Sequence, residues 1–389
     1  AVSLFGALLL LCREGGAVNA LFASAPMQWI GKRSYAIYLV HWPLIVLYSY
    51  TVQFTLTALD RVWLAVATLA VSALLHTAIE KPFRKRGEDS TVLQRAATPM
   101  FITLLVVCVG GSALTWQQGG FPGRFDSGIT RIVDSVDGEM KLRRKAIRWG
   151  VCNLHREHTF QHYDSRRCAT PDPDGPDALV IGDSMAADTY MLLASAYPQV
   201  HFMQATAGGC TALLELDPKN RYPACAALNE LRFGELLKRD VDLVILASIW
   251  TPQRTARLAA TVRYLRERGV PVLVIGPRPV FPGFVPLLVS AQESTHGLNE
   301  SLSAQIRRKD DLLHSMRDAL PGVDIIDMSG VQCDPECDAL DGDRLLYFDA
   351  QHFTVRGAEV MGERLAKKLD LRAYIEEKRG ADSTPARLP

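Results

Sequence analysis

Two patterns of hydrophobic and polar positions divide the chain. Up to residue 116 the apolar residues form long runs, Ala1–Leu11, Tyr35–Thr51, Val62–Ile79 and Pro99–Trp116, with charges confined between them. The last three are each about 17–18 residues long, near the lower limit for a helix that crosses a bilayer. A buried core helix explains one such run, but four in succession with charged gaps predict membrane spans. From Ala178 onward short aliphatic runs alternate with stretches of helical period. Strands are predicted at Ala178–Gly182, Val200–Gln204, Leu243–Ala247, Val272–Ile275 and Val323–Ile326. Helices are predicted near Ala186–Tyr197, Ala226–Lys238, Gln253–Arg268, Leu298–Ala319 and Val355–Leu369. Buried strands alternating with amphipathic helices make an α/β domain, a flavodoxin-like parallel sheet with helices on both faces.

The expected plan is therefore membrane helices over residues 1–90, a final membrane helix over 98–116, a linker or extension over 117–177, the α/β domain over 178–375 and a disordered tail over 376–389. The chain opens inside an apolar run without a methionine, so it is expected to be a fragment lacking earlier spans. Arg13, Lys32 and Arg33 fall in the first inter-span loop, and Lys81, Arg84, Lys85, Arg86 and Arg95 in the third, whereas Gln53 to Asp60 carries no lysine or arginine. The positive-inside rule makes loops one and three cytoplasmic and sends everything after Trp116 outward.

Cysteine usage leads to the same compartment. Of eight cysteines, Cys12 and Cys108 lie in apolar runs, while Cys152 and Cys168, Cys210 and Cys225, and Cys333 and Cys337 form near pairs beyond Trp116. An even set closing short loops reads as disulfides in an oxidising compartment, with neighbours expected to pair although spacing alone leaves connectivity open. A net charge of +1 gives no electrostatic case for a nucleic-acid partner. Cys152, His155, His158, His162 and Cys168 are metal-ligand types at close spacing, but they match no common zinc module. A disulfide with surface histidines is the expectation, and no metal is assigned.

The candidate chemistry lies at strand ends. Ala178-Leu-Val-Ile-Gly-Asp-Ser-Met185 ends a strand in Gly-Asp-Ser just before a helix, exposing the Ser184 hydroxyl beside backbone N–H donors. Downstream, Asp349-Ala-Gln-His352 precedes another helix start. A nucleophilic serine needs a base, and the base needs a group that holds its tautomer, so Ser184, His352 and Asp349 are the candidate catalytic residues. Asp183 is expected to be a local turn or supporting acceptor.

These blocks resemble the SGNH (GDSL-type) hydrolase family, whose serine lies in Gly-Asp-Ser and whose Asp and His lie in a late Asp-x-x-His. The resemblance implies an oxyanion hole from Ser184 and from Gly208 or Gly209 in Thr-Ala-Gly-Gly-Cys. The family's third block carries an Asn, where this chain has Leu246-Ala-Ser-Ile-Trp250; Ser248, Trp250 or a backbone N–H is expected to replace it. Ser248, Trp250 and Arg278, each just past a strand end, are the candidate substrate-binding residues. Trp250 is read as a sugar-stacking platform or a packing residue, and Arg278 as a ligand contact or, preferably, a loop cap.

A second resemblance covers residues 1 to about 90. Gly31-Lys-Arg-Ser-Tyr-Ala-Ile-Tyr-Leu-Val-His-Trp-Pro43 and Ile79-Glu-Lys-Pro-Phe-Arg84 are similar to the last spans of the acyltransferase-3 membrane family. His41 is expected to be structural, and Glu80 and Arg84 an interfacial pair or helix stop with Pro82. Together the two resemblances imply bacterial surface-polysaccharide O-acetyltransferases. Such a protein sits in the inner membrane with its C-terminal domain in the periplasm. It moves an acetyl group through a seryl ester to hydroxyls of a polysaccharide such as lipopolysaccharide O-antigen. Acetyl-CoA is the implied donor for the full-length protein; this fragment is expected to bind no cofactor itself. Its implied partners are the lipid bilayer, the polysaccharide acceptor and the missing N-terminal spans. The competing readings are a tethered carbohydrate esterase and a degenerate carbohydrate-binding module.

Overall fold

The computed structural model describes residues 17–52, 56–80, 91–121, 127–216, 222–281, 283, 296–333 and 337–382. The first apolar run with Cys12, the basic residues Arg13, Lys81, Arg84, Lys85 and Arg86, Pro82 and tail residues 383–389 lie outside them. The chain forms two compact units, Ala1–Arg124 and Phe125–Pro389.

The first unit is helical: α1 (Ala25–Thr51), α2 (Ala58–Leu75, prolonged by a wider turn to Glu80) and α3 (Thr91–Gln117). Thr57 caps α2 reciprocally with Asp60, and the Tyr48 hydroxyl donates to Asp60 Oδ1 at 2.6 Å, tying α1 to the start of α2. Lys32 and Arg33 stand inside α1 rather than in a loop before it, so the first basic cluster extends the helix instead of interrupting it. His41 Nδ1 bonds the Tyr38 carbonyl at 2.8 Å, a local backbone contact of the kind expected for a structural residue. His76 Nδ1 lies 2.9 Å from Glu80 Oε2, one turn apart. Among the described residues one helix, Ala58–Glu80, is long and apolar enough to cross a membrane, and Phe101–Gln117 is apolar but shorter.

The second unit is built on a six-stranded parallel sheet: β1 (Asn153–Leu154), β2 (Asp177–Gly182), β3 (His201–Ala207), β4 (Leu243–Ala247), β5 (Val272–Ile275) and β6 (Asp324–Ile326), in the order β1-β3-β2-β4-β5-β6. Leaving out β1, this is the flavodoxin-like order, in which the chain turns from one side of the first strand to the other and opens a crevice at the carboxyl ends. Alternation along the strands explains the two covered faces. Leu179, Ile181, Met203, Ala205, Val244, Leu246 and Val274 enter one core, with Leu228, Leu258, Val262, Leu265 and Met316. The latter residues come from α6 (Ala224–Glu230), α7 (Pro252–Arg266) and α8 (His296–Ala319). On the opposite face α5 (Ser184–Ala196) packs on β2 and β3 and against α9 (Val355–Ala366). A Cβ on Gly362 would stand 2.9 Å from the Leu192 carbonyl oxygen, so a glycine lets these two helices approach.

Two expected boundaries are corrected. The stretch read as a linker contributes helix α4 (Ser127–Ala146) and strand β1, which pairs with β3 in the register Asn153 to Thr206 and Leu154 to Ala207. The α/β unit thus begins well before Ala178. The expected disordered tail is helical as far as Asp382, in α10 (Leu371–Asp382), whose Leu371 and Ile375 are buried. The disulfides join neighbours as expected: Cys152 to Cys168, Cys210 to Cys225 and Cys333 to Cys337. The first of these commits both sulfurs of the Cys-His cluster, which removes them from any metal set.

Candidate active site

β2 delivers the nucleophile because its end can approach β4 closely. A Cβ at Gly182 would lie 1.7 Å from the Ala247 carbonyl oxygen, so only glycine allows the chain to turn there. Asp183 then caps α5: Oδ1 accepts the Met185 N–H at 2.9 Å, and Oδ2 accepts the Ile249 N–H at 3.0 Å from the loop after β4. Burial raises the pKa of Asp183, opposed by these backbone bonds, which fits a supporting acceptor. Ser184 stands on the first turn of α5, its hydroxyl outside the capping network.

His352 and Asp349 approach from the loop before α9. The Ser184 hydroxyl lies 2.9 Å from His352 Nε2, and His352 Nδ1 lies 2.7 Å from Asp349 Oδ2. Asp349 Oδ1 also accepts the N–H groups of Gln351 and His352, each at 2.8 Å. Burial works against the Asp349 charge, but these bonds and the neighbouring imidazole hold its pKa below the ordinary carboxylate value. An ionised Asp349 can only accept, so the imidazole carries its proton on Nδ1 and turns the Nε2 lone pair to the serine. Phe348 stacks on the ring at 5.7 Å between centroids.

Around these residues lies a cavity of about 510 Å³, lined by Ser184, Gly208, Gly209, Phe348, Asp349 and His352 from the sheet's carboxyl end, and by Met140, Arg143, Arg144, Trp149, Asn153, His155, Arg156 and Glu157 from α4, β1 and the loops beside them. More than half of the lining residues thus come from the stretch expected to be a linker. Trp149 lies against His155 with ring centroids 4.7 Å apart, and the Arg144 guanidinium sits over the Trp149 ring.

An ion cluster fastens this wall to the nucleophile helix. Asp188, on α5 and wholly buried, accepts from Arg143 Nη2 of α4, from Arg278 Nη2 at 2.6 Å and from the Phe353 N–H at 3.3 Å. Arg143 Nε donates to the Phe353 carbonyl at 3.1 Å. Burial opposes the Asp188 charge, but the two guanidiniums lower its pKa overall. A third buried cation, Arg232, donates to the carbonyls of Gly182 and Ala205, both at 2.8 Å, pinning the ends of β2 and β3.

The candidate substrate-binding residues take structural places, Trp250 and Arg278 in their packing and loop-cap readings. Trp250 is 2% exposed and its Nε1 donates to the Ile275 carbonyl at 2.6 Å, so it packs between strands instead of offering a sugar platform. Ser248 is buried and its Oγ accepts the Ala212 N–H at 2.8 Å. Arg278 is engaged by Asp188 and by the Gln351 carbonyl, 2.8 Å away, which makes it a loop anchor. None of the three lines the cavity. Gly208 donates its N–H to the Leu154 carbonyl at 2.9 Å and so is not an oxyanion donor, whereas Gly209 lines the cavity with φ +80°. Asp188, Arg143 and Asn153 escaped sequence reading. A lone Asp in a helix and a two-residue strand carry no local pattern, and only the Glu/Asp-poor, Arg-rich end of α4 hinted at a partner.

The family model described as "SGNH domain (fused to AT3 domains)" matches residues 151–367, more than half of the chain. The chain is 39% identical over 71 residues to the Peptidoglycan O-acetyltransferase OatA of Listeria monocytogenes serovar 1/2a, covering 18% of this chain and 11% of that protein. It is 33% identical over 137 residues to YrhL of Bacillus subtilis, covering 30% of this chain and 22% of that protein. The matches therefore span a small part of each curated relative's length. Among solved structures, the periplasmic domain of the Salmonella ser. Paratyphi A lipopolysaccharide acetyltransferase superposes with TM-score 0.49 at 18% identity, covering 62% of this chain and 99% of that one. With a parallel sheet in the flavodoxin-like order, and Gly-Asp-Ser meeting Asp-x-x-His in one cavity, the chain belongs to the family of SGNH domains fused to AT3 domains.

Proposed function

We propose that the α/β unit transfers an acyl group, most simply acetyl, to a hydroxyl of a cell-surface polysaccharide through an ester on Ser184. The observation that carries this reading is the hydrogen-bonded series from Ser184 through His352 to Asp349, opening on one cavity. The family's fusion to AT3 domains and the peptidoglycan O-acetyltransferase name of one relative support transfer to a surface glycan over simple hydrolysis.

Ser184 Oγ attacks the acyl carbonyl of the donor while its proton passes to His352 Nε2. Asp349 stabilises the resulting imidazolium and fixes its ring, and His352 returns the proton to the departing group. In the second half a sugar hydroxyl gives its proton to His352 and attacks the seryl ester, and Ser184 leaves with that proton. The acceptor must compete with water, so it has to be positioned by the cavity wall. Trp149 and the arginines of that wall are the groups placed to do so. In this reading the helical unit lies in the bacterial inner membrane, the α/β unit in the periplasm, and acetyl-CoA supplies the acyl group from the cytoplasmic side.

The test is the acetyl content of surface polysaccharide in cells carrying the full-length protein, wild type against Ser184→Ala. Loss of acetyl in the variant supports transfer through a seryl ester. A rise identifies an esterase instead, and no change assigns Ser184 a structural role and overturns the reading.

A further inference from the structure

We propose that the side-chain amide of Asn153 is an oxyanion donor for Ser184, supplied by the extension and not by the loop after β4. The inference rests on the acyl-transfer reading above. The groups weighed after β4 do not serve: the Ile249 N–H and Trp250 Nε1 are bound to Asp183 and Ile275, and Ser248, whose Oγ accepts the Ala212 N–H, does not line the cavity. The Gly208 N–H is spent on Leu154.

Asn153 enters from the other side. As part of β1 it lies opposite Thr206 in the sheet, next to the loop that carries Gly208 and Gly209. It is 2% exposed and lines the cavity together with Ser184 and His352. Its orientation follows from the polarity of a buried hydrogen-bond series. Arg148 can only donate, and its Nε reaches Gln204 Oε1 at 3.0 Å. The amide nitrogen of Gln204 therefore faces Thr206 and donates to its Oγ1 at 2.8 Å. The Thr206 hydroxyl then has one hydrogen and two acceptors in reach, and the nearer takes it: Asn153 Oδ1 at 2.9 Å against the Cys152 carbonyl at 3.5 Å. Asn153 accordingly turns its oxygen to Thr206 and its NH₂ away from it, in a residue that lines the cavity.

Among the described residues that NH₂ has no hydrogen-bond acceptor. The NH₂ is not among the sealed, unpartnered polar atoms, which fits a group open to the cavity that Asn153 lines, and the charge that develops on an acyl oxygen next to Ser184 is an acceptor that would engage it. The Ser184 N–H, at the first turn of α5, supplies a second donor. The fixed amide is a preorganised dipole of the kind that stabilises a tetrahedral intermediate.

The test uses the purified chain in detergent with 4-nitrophenyl acetate as probe, comparing wild type, Ser184→Ala, Asn153→Ala and Asn153→Asp. The expected result is Ser184-dependent turnover in which both Asn153 variants lose on the order of 10²–10³-fold in kcat with KM little changed. Asn153→Asp keeps the acceptor for Thr206 and the side-chain shape, so it carries the test if Asn153→Ala does not fold. A folded Asn153 variant with kcat within about threefold of wild type overturns the proposal, because a donor to the transition state cannot be removed at so small a cost. Turnover that survives Ser184→Ala overturns the acyl-transfer reading itself, and that result is told apart because it appears before any Asn153 variant is compared.

Discussion

Replacing Asp188 by alanine removes the one anion between two buried cations, and its effect can be worked from the cluster. The Asp188 side chain is fully buried, and those of Arg143 and Arg278 are 7% and 8% exposed. Losing one member of a buried ion pair leaves an uncompensated charge and costs about 3–5 kcal/mol. For a unit of this size each kcal/mol moves the melting temperature by about 2–4 °C, so the expected drop is roughly 6–20 °C. Near-UV circular dichroism of the second unit's aromatic residues measures it directly. The simultaneous change Asp188→Leu, Arg143→Met and Arg278→Met should recover most of the loss, since apolar groups of similar volume leave no charge stranded. The pH dependence supplies an independent sign check. Because the folded pKa of Asp188 is lowered, its contribution is complete above the unfolded carboxylate value of about 4 and disappears as pH falls through the folded one. The gap between wild type and Asp188→Asn should therefore narrow in acid. A single-variant drop below roughly 2 °C, or a gap that widens in acid, would refute the reasoning.

Other outcomes follow from the same geometry. Asp349→Asn can no longer hold the Nδ1–H tautomer, and turnover of 4-nitrophenyl acetate should fall on the order of 10⁴-fold with little change in melting, as read by initial rates and thermal unfolding together. Gly182→Ala forces a Cβ into the Ala247 carbonyl and should cost at least about 1–3 kcal/mol, seen as a lower denaturant midpoint; an unchanged midpoint would contradict the close approach. Replacing Cys210 and Cys225 by serine opens a loop with a sequence separation of 15 and should cost about 3 kcal/mol in the same measurement, and non-reducing mass spectrometry of the wild type should show the two cysteines linked.

The parts of this molecule legible from sequence are those whose physics is local. β4 and β5 run over the residues that their aliphatic stretches predict, because strands buried on both faces have nothing polar to break the pattern. Ser184, Asp349 and His352 were legible because their spacing from strand end and helix start is itself a pattern. Trp250 was not, since only the fold reveals that its indole reaches Ile275 and not the cavity. β1 spans two residues, too few for any period, and its membership of the sheet depends on β3, some fifty positions away in the chain. Asn153 is hidden for the same reason: its significance comes from the direction of hydrogen bonds through Arg148, Gln204 and Thr206, which no spacing encodes.

The pairing of β1 with β3 bears on how such domains can be exchanged. A chimera cut at Ala178 would carry the nucleophile, the base and every strand of the flavodoxin-like order, and would look complete on a topology diagram. It would lack more than half of the cavity lining, Arg143 and Asn153 included, and it would expose the edge of β3 that β1 covers. The heritable module is therefore larger than the fold that names it. It starts no later than Ser127, and a graft or an expression boundary should be drawn there.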